Sequence, residues 1–167
     1  MIIVSDTSPI TNLAAIGQLD LLRQLYSSVI IPQAVYNEMV GVDQIVPGAV
    51  EVQQLSGIQV IPVVNSQQVT EIQQQYNNID LGEAEAIILS IELKADLLLL
   101  LMNERRGRAI AASYRLNVTG LLGVLLQAKK QGVIPAIKPL IDQLIATADF
   151  RLSQQLYAIV LQSADED

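Results

Sequence analysis

The first nine residues, Met1-Ile-Ile-Val-Ser-Asp-Thr-Ser-Pro9, constrain the fold more than any other stretch, because an aliphatic run stops on a carboxylate and passes at once into a helix signal. Ile2, Ile3 and Val4 read as a short strand buried on both faces, the habit of a strand in a parallel sheet. Ser8-Pro9 predicts a helix N-cap followed by proline at the first helical position. Asp6 then lies at the carboxyl end of the first strand, the edge at which open parallel sheets bind ligands. An aspartate in that place also closes an Asx-turn, and from Asp6 alone both readings stand.

The same alternation runs down the chain. Apolar residues at helical spacing fill Ile10 to Ile16 and Leu19 to Leu25, broken at Gly17, and Val29-Ile30-Ile31 is a second buried strand. Pro32 opens a helix to about Val40 on which Glu38 shares a side with Ala34 and Val35, either facing inward or as a boundary residue whose head reaches water. A loop is expected over Gly41 to Gly48, a short helix over Ala49 to Leu55, and an edge-type strand over Val60 to Val64. Ser66 to Asn78 is a glutamine-rich amphipathic helix, a solvated cover or a partner-binding flap. Asp80 with Glu83 three residues on spells a capping box ahead of an apolar helix face, and Leu97 to Met102 is the next buried strand. Asn103 is placed to cap the helix that follows. Val118-Thr119 reads as a third short core strand, Gly120 starts a helix to about Gln131 that Gly132 closes, Ile134 to Ala148 is another helix, and Ser153 caps the last. Strand, helix and strand in turn predict a three-layer α/β/α fold with a small, mostly parallel central sheet. No linker or repeat divides it, so residues 1–167 form one domain with 133–167 as a C-terminal helical extension.

Composition narrows the chemistry. The chain has neither cysteine nor histidine, which removes thiolate nucleophiles, Ser-His-Asp triads, disulfides and zinc sites built on Cys or His. Acids must carry whatever chemistry there is. A net charge of -7 argues against a broad basic surface, although a local cluster still binds phosphates. The run Leu97 to Met102 is too short to cross a bilayer and the N-terminus lacks a basic segment before its apolar start, so no membrane association and a cytoplasmic location are expected.

Asp6, Glu38, Glu83 and Asn103 are all expected at the carboxyl edge of one sheet. Singly, each has a plain alternative: Glu83 as capping-box partner, Asn103 as N-cap, and Arg105, Arg106 and Arg108 as a solvated helix face. Together they form the oxygen-rich donor set that hard divalent cations such as Mg²⁺ and Mn²⁺ require.

Several segments resemble the PIN-domain nuclease superfamily, in particular a branch of small bacterial and archaeal proteins. They are Val4-Ser-Asp-Thr-Ser-Pro-Ile-Thr-Asn-Leu13, Val29-Ile-Ile-Pro-Gln-Ala-Val-Tyr-Asn-Glu38, Leu81-Gly-Glu-Ala-Glu-Ala86, Glu104-Arg-Arg-Gly-Arg-Ala-Ile-Ala111, Val118-Thr-Gly120 with Leu122-Gly-Val-Leu125, and the tail Phe150-Arg-Leu-Ser153. The resemblance implies a metal-dependent ribonuclease using Mg or Mn, and many relatives are toxin halves of toxin-antitoxin pairs. By position, Asp6 matches the first acid, Glu38 the second and Glu83 the third, with Glu85 as the fallback. The fourth position, usually Asp, is Asn103, beside Glu104. An amide oxygen still ligates a cation but brings no charge, so metal affinity falls and a second ion is disfavoured. The run Leu97 to Leu101 is also about two residues longer than the pattern suggests, a shift that would hand the ligand role to Glu104.

The expected activity is RNA phosphodiester hydrolysis. Thr7 or Ser8 would bond a ligating carboxylate or the phosphate, and Arg105, Arg106 or Arg108 would contact backbone phosphates. With one Phe and no Trp, base stacking is not expected and specificity would come from RNA shape and cleft width. The alternative is a catalytically weakened nucleic-acid-binding or regulatory module. An antitoxin protein and a homodimer contact are the expected protein partners.

Overall fold

The computed structural model describes residues 1–41, 46–54 and 57–166. The middle of the Gly41 to Gly48 loop, the end of the helix expected over Ala49 to Leu55 and the final tail residue Asp167 lie outside them. A five-stranded, wholly parallel sheet has the order β3-β2-β1-β4-β5. Its strands are β1 (Ile2–Ser5), β2 (Ser28–Pro32), β3 (Ile58–Ile61), β4 (Leu98–Leu101) and β5 (Val118–Thr119). The helices are α1 (Thr7–Ala15), α2 (Asp20–Leu25), α3 (Gln33–Val40), α4 (Ala49–Gln54), α5 (Ser66–Gln75), α6 (Leu81–Leu93), α7 (Arg105–Ser113), α8 (Leu121–Lys130), α9 (Lys138–Thr147) and α10 (Gln154–Ser163).

Strand periodicity sorts the core into two layers. Ile3, Val29, Ile31 and Leu101 point to one face, where α1, α2, α8, α9 and α10 bury Leu13, Leu22, Val124, Ile141 and Val160. Val4, Ile30, Leu98 and Leu100 point to the other, under Ile72 of α5, Ile87 of α6 and Ile110 of α7. The three inner strands β2, β1 and β4 are apolar on both sides because helices cover both sides. The α/β/α architecture is therefore present as expected.

Several local expectations shift. Asp6, not Ser8, is the N-cap of α1, so Pro9 falls in the first turn at a position whose N–H needs no helical partner. Strand β3 ends at Ile61 rather than running to Val64, since Pro62 follows and has no N–H for the ladder. The Val118-Thr119 strand is an edge rather than a core strand. Helix α9 starts at Lys138 rather than Ile134. The surplus length of the Leu97 run falls at its amino end: Leu97 is exposed outside β4, while Ser5 pairs with Leu101 and Asp6 N–H donates to the Leu101 carbonyl at 3.1 Å. Asn103 thus stands two residues past the end of β4, where its amide reaches Ser8 Oγ at 3.2 Å.

The C-terminal chain is tied back from its end. Glu166 accepts the N–H groups of Ile137 (2.9 Å) and Lys138 (3.1 Å) at the start of α9 and the Lys129 ammonium (2.9 Å), and Lys129 also bonds the Ala164 carbonyl. A residue that looked like acidic tail is the cap of α9.

Candidate metal centre

Asp6 stands at the end of the central strand, where β1 gives way to α1 without a connecting loop. It is the N-cap by backbone geometry (φ -76°, ψ 174°), yet its side chain makes no capping hydrogen bond. The carboxylate is left for other work. It is buried, with 5% exposure, and its pKa is raised from 3.8 to about 8. Desolvation is the main cause, partly offset by the nearby Thr7 backbone N–H, and the negative charges of Asp80, Glu83 and Glu38 push it further up.

Glu38 comes from the last turn of α3. Its residue is exposed, contrary to an inward-facing reading, but its head turns to the site: Thr7 Oγ1 donates to Glu38 Oε2 at 2.7 Å. Gly82, in the first turn of α6, shows why that corner is open. A Cβ there would stand 3.2 Å from Glu38 Oε2 and 3.3 Å from Asp6 Oδ1, so both carboxylates border the one spot a larger residue would crowd. Glu83 follows Gly82 and does two things at once. It completes the capping box of α6, accepting the Asp80 N–H at 3.0 Å while Asp80 accepts the Glu83 N–H at 2.8 Å. It is also buried, with 6% exposure, and its pKa is raised by desolvation, lowered in part by the Asp80 N–H, and raised again by the charges of Asp80, Glu104 and Glu38. The structural and chemical readings of Glu83 are not exclusive.

The other candidates separate. Asn103 caps α8 rather than α7: its Oδ1 accepts the Leu121 N–H at 3.3 Å, and its Nδ2 donates to Ser8 Oγ at 3.2 Å. Glu104 is the backbone N-cap of α7, without a side-chain cap. Glu85 is held elsewhere, accepting the Ala34 N–H at 3.0 Å at the start of α3. Glu83 and Glu104 share a 430 Å³ cavity with Asp80 and Arg106. Arg108 is half-buried against Gly120, while Arg105 and Arg106 are exposed.

Sequence reasoning missed three residues at this edge. Asp80 was read only as an N-cap, although its charge acts on both Asp6 and Glu83. Phe150 and Arg151 line a 620 Å³ cavity with Ser8, Asn103 and Glu104. The Phe150-Arg-Leu-Ser153 segment was the available signal, and nothing in its spacing tied it to the acids.

Among the described residues, no three His, Cys, Asp or Glu side chains stand in an arrangement that holds a metal ion directly. The donor set still suits a hard cation. Mg²⁺ is commonly bound through one or two carboxylates while it keeps several waters, and Asp6 and Glu38 border one open spot. The crowding of negative charge that lifts Asp6 is also what a divalent cation would relieve.

A family model described as PIN domain matches residues 2–166. The fold is similar to that of a PilT N-terminus domain protein from the hyperthermophilic archaeon Sulfolobus solfataricus, with a TM-score of 0.51 and 18% identity over 74% of this chain and 90% of that one. Comparison with curated proteins gives no match.

Proposed function

The chain belongs to the PIN-domain family, a nuclease superfamily, and from that premise we propose that it is a metal-dependent ribonuclease with its centre at the carboxyl edge of β1. The observation that carries this reading is a buried Asp6 whose carboxylate, unused in capping, shares an open corner with Glu38 and lies in the field of Glu83. Asp6 and Glu38 would hold Mg²⁺ or Mn²⁺ directly, with Glu83 adding charge from the capping box. When bound, the ion supplies positive charge for the scissile phosphate and lowers the pKa of its water. Thr7 fixes Glu38 by donating to it, and Ser8 fixes Asn103, whose amide oxygen would serve as a neutral donor beside Glu104. Arg106 flanks the acids from α7, and with Arg105 and Arg108 on the same helix it offers contacts to backbone phosphates.

In the biology of such a protein, this activity suits the toxin half of a toxin-antitoxin pair acting on cytoplasmic RNA. No helix among the described residues is long and apolar enough to cross a membrane. The exposed side chains of Ile145 and Ile159 offer apolar surface for a homodimer contact, which sedimentation of the wild type against Ile159→Glu checks.

A catalytically weakened, RNA-binding module is the second reading. It is favoured by Asn103, whose amide is engaged on both sides, and by the absence, among the described residues, of three acids arranged to hold a metal. Incubation of wild type and Asp6→Asn with RNA, in Mn²⁺ or in chelator, separates the two. Cleavage by wild type only with metal, and none by the variant, supports the enzyme; binding without cleavage supports the module.

A further inference from the structure

The loop between α9 and α10 is built more rigidly than a connection needs. The chain leaves α9 through Asp149 in the left-handed region (φ 52°), and the Phe150 N–H reaches back to the Leu144 carbonyl at 3.4 Å. Three residues later Ser153 caps α10, accepting the Leu156 N–H at 3.1 Å. Phe150 and Arg151 are thus presented between two helix ends that are each fixed by hydrogen bonds.

That presentation is toward the carboxyl edge of the sheet. A 620 Å³ cavity, lined also by the acids Glu104 and Asp149, runs from Ser8 and Thr11 past Asn103 to Phe150 and Arg151, and a 420 Å³ cavity continues from Asn103, Phe150 and Arg151 to Arg108 and Gly120. Asn103, Phe150 and Arg151 belong to both. Phe150 is the only phenylalanine in the chain and is half-buried at the junction. The charged residues lining the second cavity are Arg108 and Arg151, with no acid among them, in a protein with 17 acids against 10 bases. Neither guanidinium is ion-paired among the described residues. An aromatic ring beside two unpaired guanidinium groups matches one unit of a single strand, a base with its phosphate.

We propose that the α9–α10 loop is a nucleotide subsite, in which the Phe150 ring stacks on a base of single-stranded RNA and Arg151, with Arg108 across the cavity, holds the adjoining phosphate. The proposal deepens the ribonuclease reading and rests on it for the identity of the ligand. It replaces the expectation that stacking plays no part: one ring suffices when the fold brings it to the cleft.

The test is binding of fluorescein-labelled octaadenylate in chelator, measured by anisotropy at several salt concentrations for wild type, Phe150→Leu and Arg151→Gln. A second probe is the same phosphate chain without bases. Phe150→Leu is expected to weaken octaadenylate about 10-fold and to leave the abasic chain unchanged. Arg151→Gln is expected to weaken both probes and reduce the salt slope by about 1. Wild-type affinity for octaadenylate in both variants would overturn the subsite, as would equal losses on both probes for Phe150→Leu. Mn²⁺-dependent cleavage of octaadenylate, measured alongside, tests the ribonuclease reading separately: cleavage with unchanged binding by the variants removes the subsite alone. Binding that depends on Phe150 without any cleavage keeps the subsite and removes the enzyme.

Discussion

At the residue scale, Asp6 carries a cost that its position explains. Its folded-state pKa is raised from 3.8 to about 8, so as pH rises the unfolded chain gives up this proton first. The stability contributed by neutral Asp6 is complete below about pH 4 and is lost progressively up to about pH 8 in metal-free protein. Asp6→Asn should therefore raise metal-free stability at pH 8, on the order of 5 kcal/mol, and change little at pH 4, as chemical denaturation at the two pH values will show. The same variant should lose Mn²⁺-dependent stabilisation. Asn103→Asp adds a charge at the start of α8, where the helix dipole favours an anion, and should tighten Mn²⁺ about 10-fold in calorimetry.

At the element scale, capping joins fold to chemistry. Asp80→Ala removes the acceptor for the Glu83 N–H, so it should cost about 1 kcal/mol, and it should also weaken Mn²⁺ binding, because it removes a negative charge that acts on both Asp6 and Glu83. Melting and metal titration on one sample check both effects. The positions of β1, β2, β4 and β5, the Asp80-Glu83 capping box, the Ser153 cap and the Gly17 break were legible because each depends on local chemistry. What was not legible depends on tertiary partners. Asn103 sits just before α7 yet caps α8, Glu85 serves α3, and Glu166 caps α9 from across the fold. Ser8-Pro9 misled for a different reason: proline is tolerated throughout the first helical turn, so it fixes the start of α1 only to within a few residues. Glu38 looked inward because it shares a helix side with Ala34 and Val35, whereas the residue is exposed and its carboxylate accepts from Thr7 Oγ1.

At the scale of the whole molecule, the C-terminal helices share the core of the first face. Ile141 and Leu144 are fully buried in the same cluster as Ile3 and Leu13, so Ile141→Ala should cost about 2–5 kcal/mol in a single cooperative transition followed by circular dichroism. This packing also carries the Phe150–Arg151 loop to the sheet edge, which no local pattern announced. The parallel sheet delivers Asp6 from β1 and Asn103 from beyond β4, and α3 and α6 bring Glu38 and Glu83 to the same edge. Anomalous diffraction from crystals soaked in Mn²⁺ tests that convergence most directly. The account predicts a peak between the Asp6 and Glu38 carboxylates beside Gly82, absent from crystals of Asp6→Asn. A wild-type crystal at saturating Mn²⁺ with no peak there, or with its strongest peak away from these carboxylates, would contradict it.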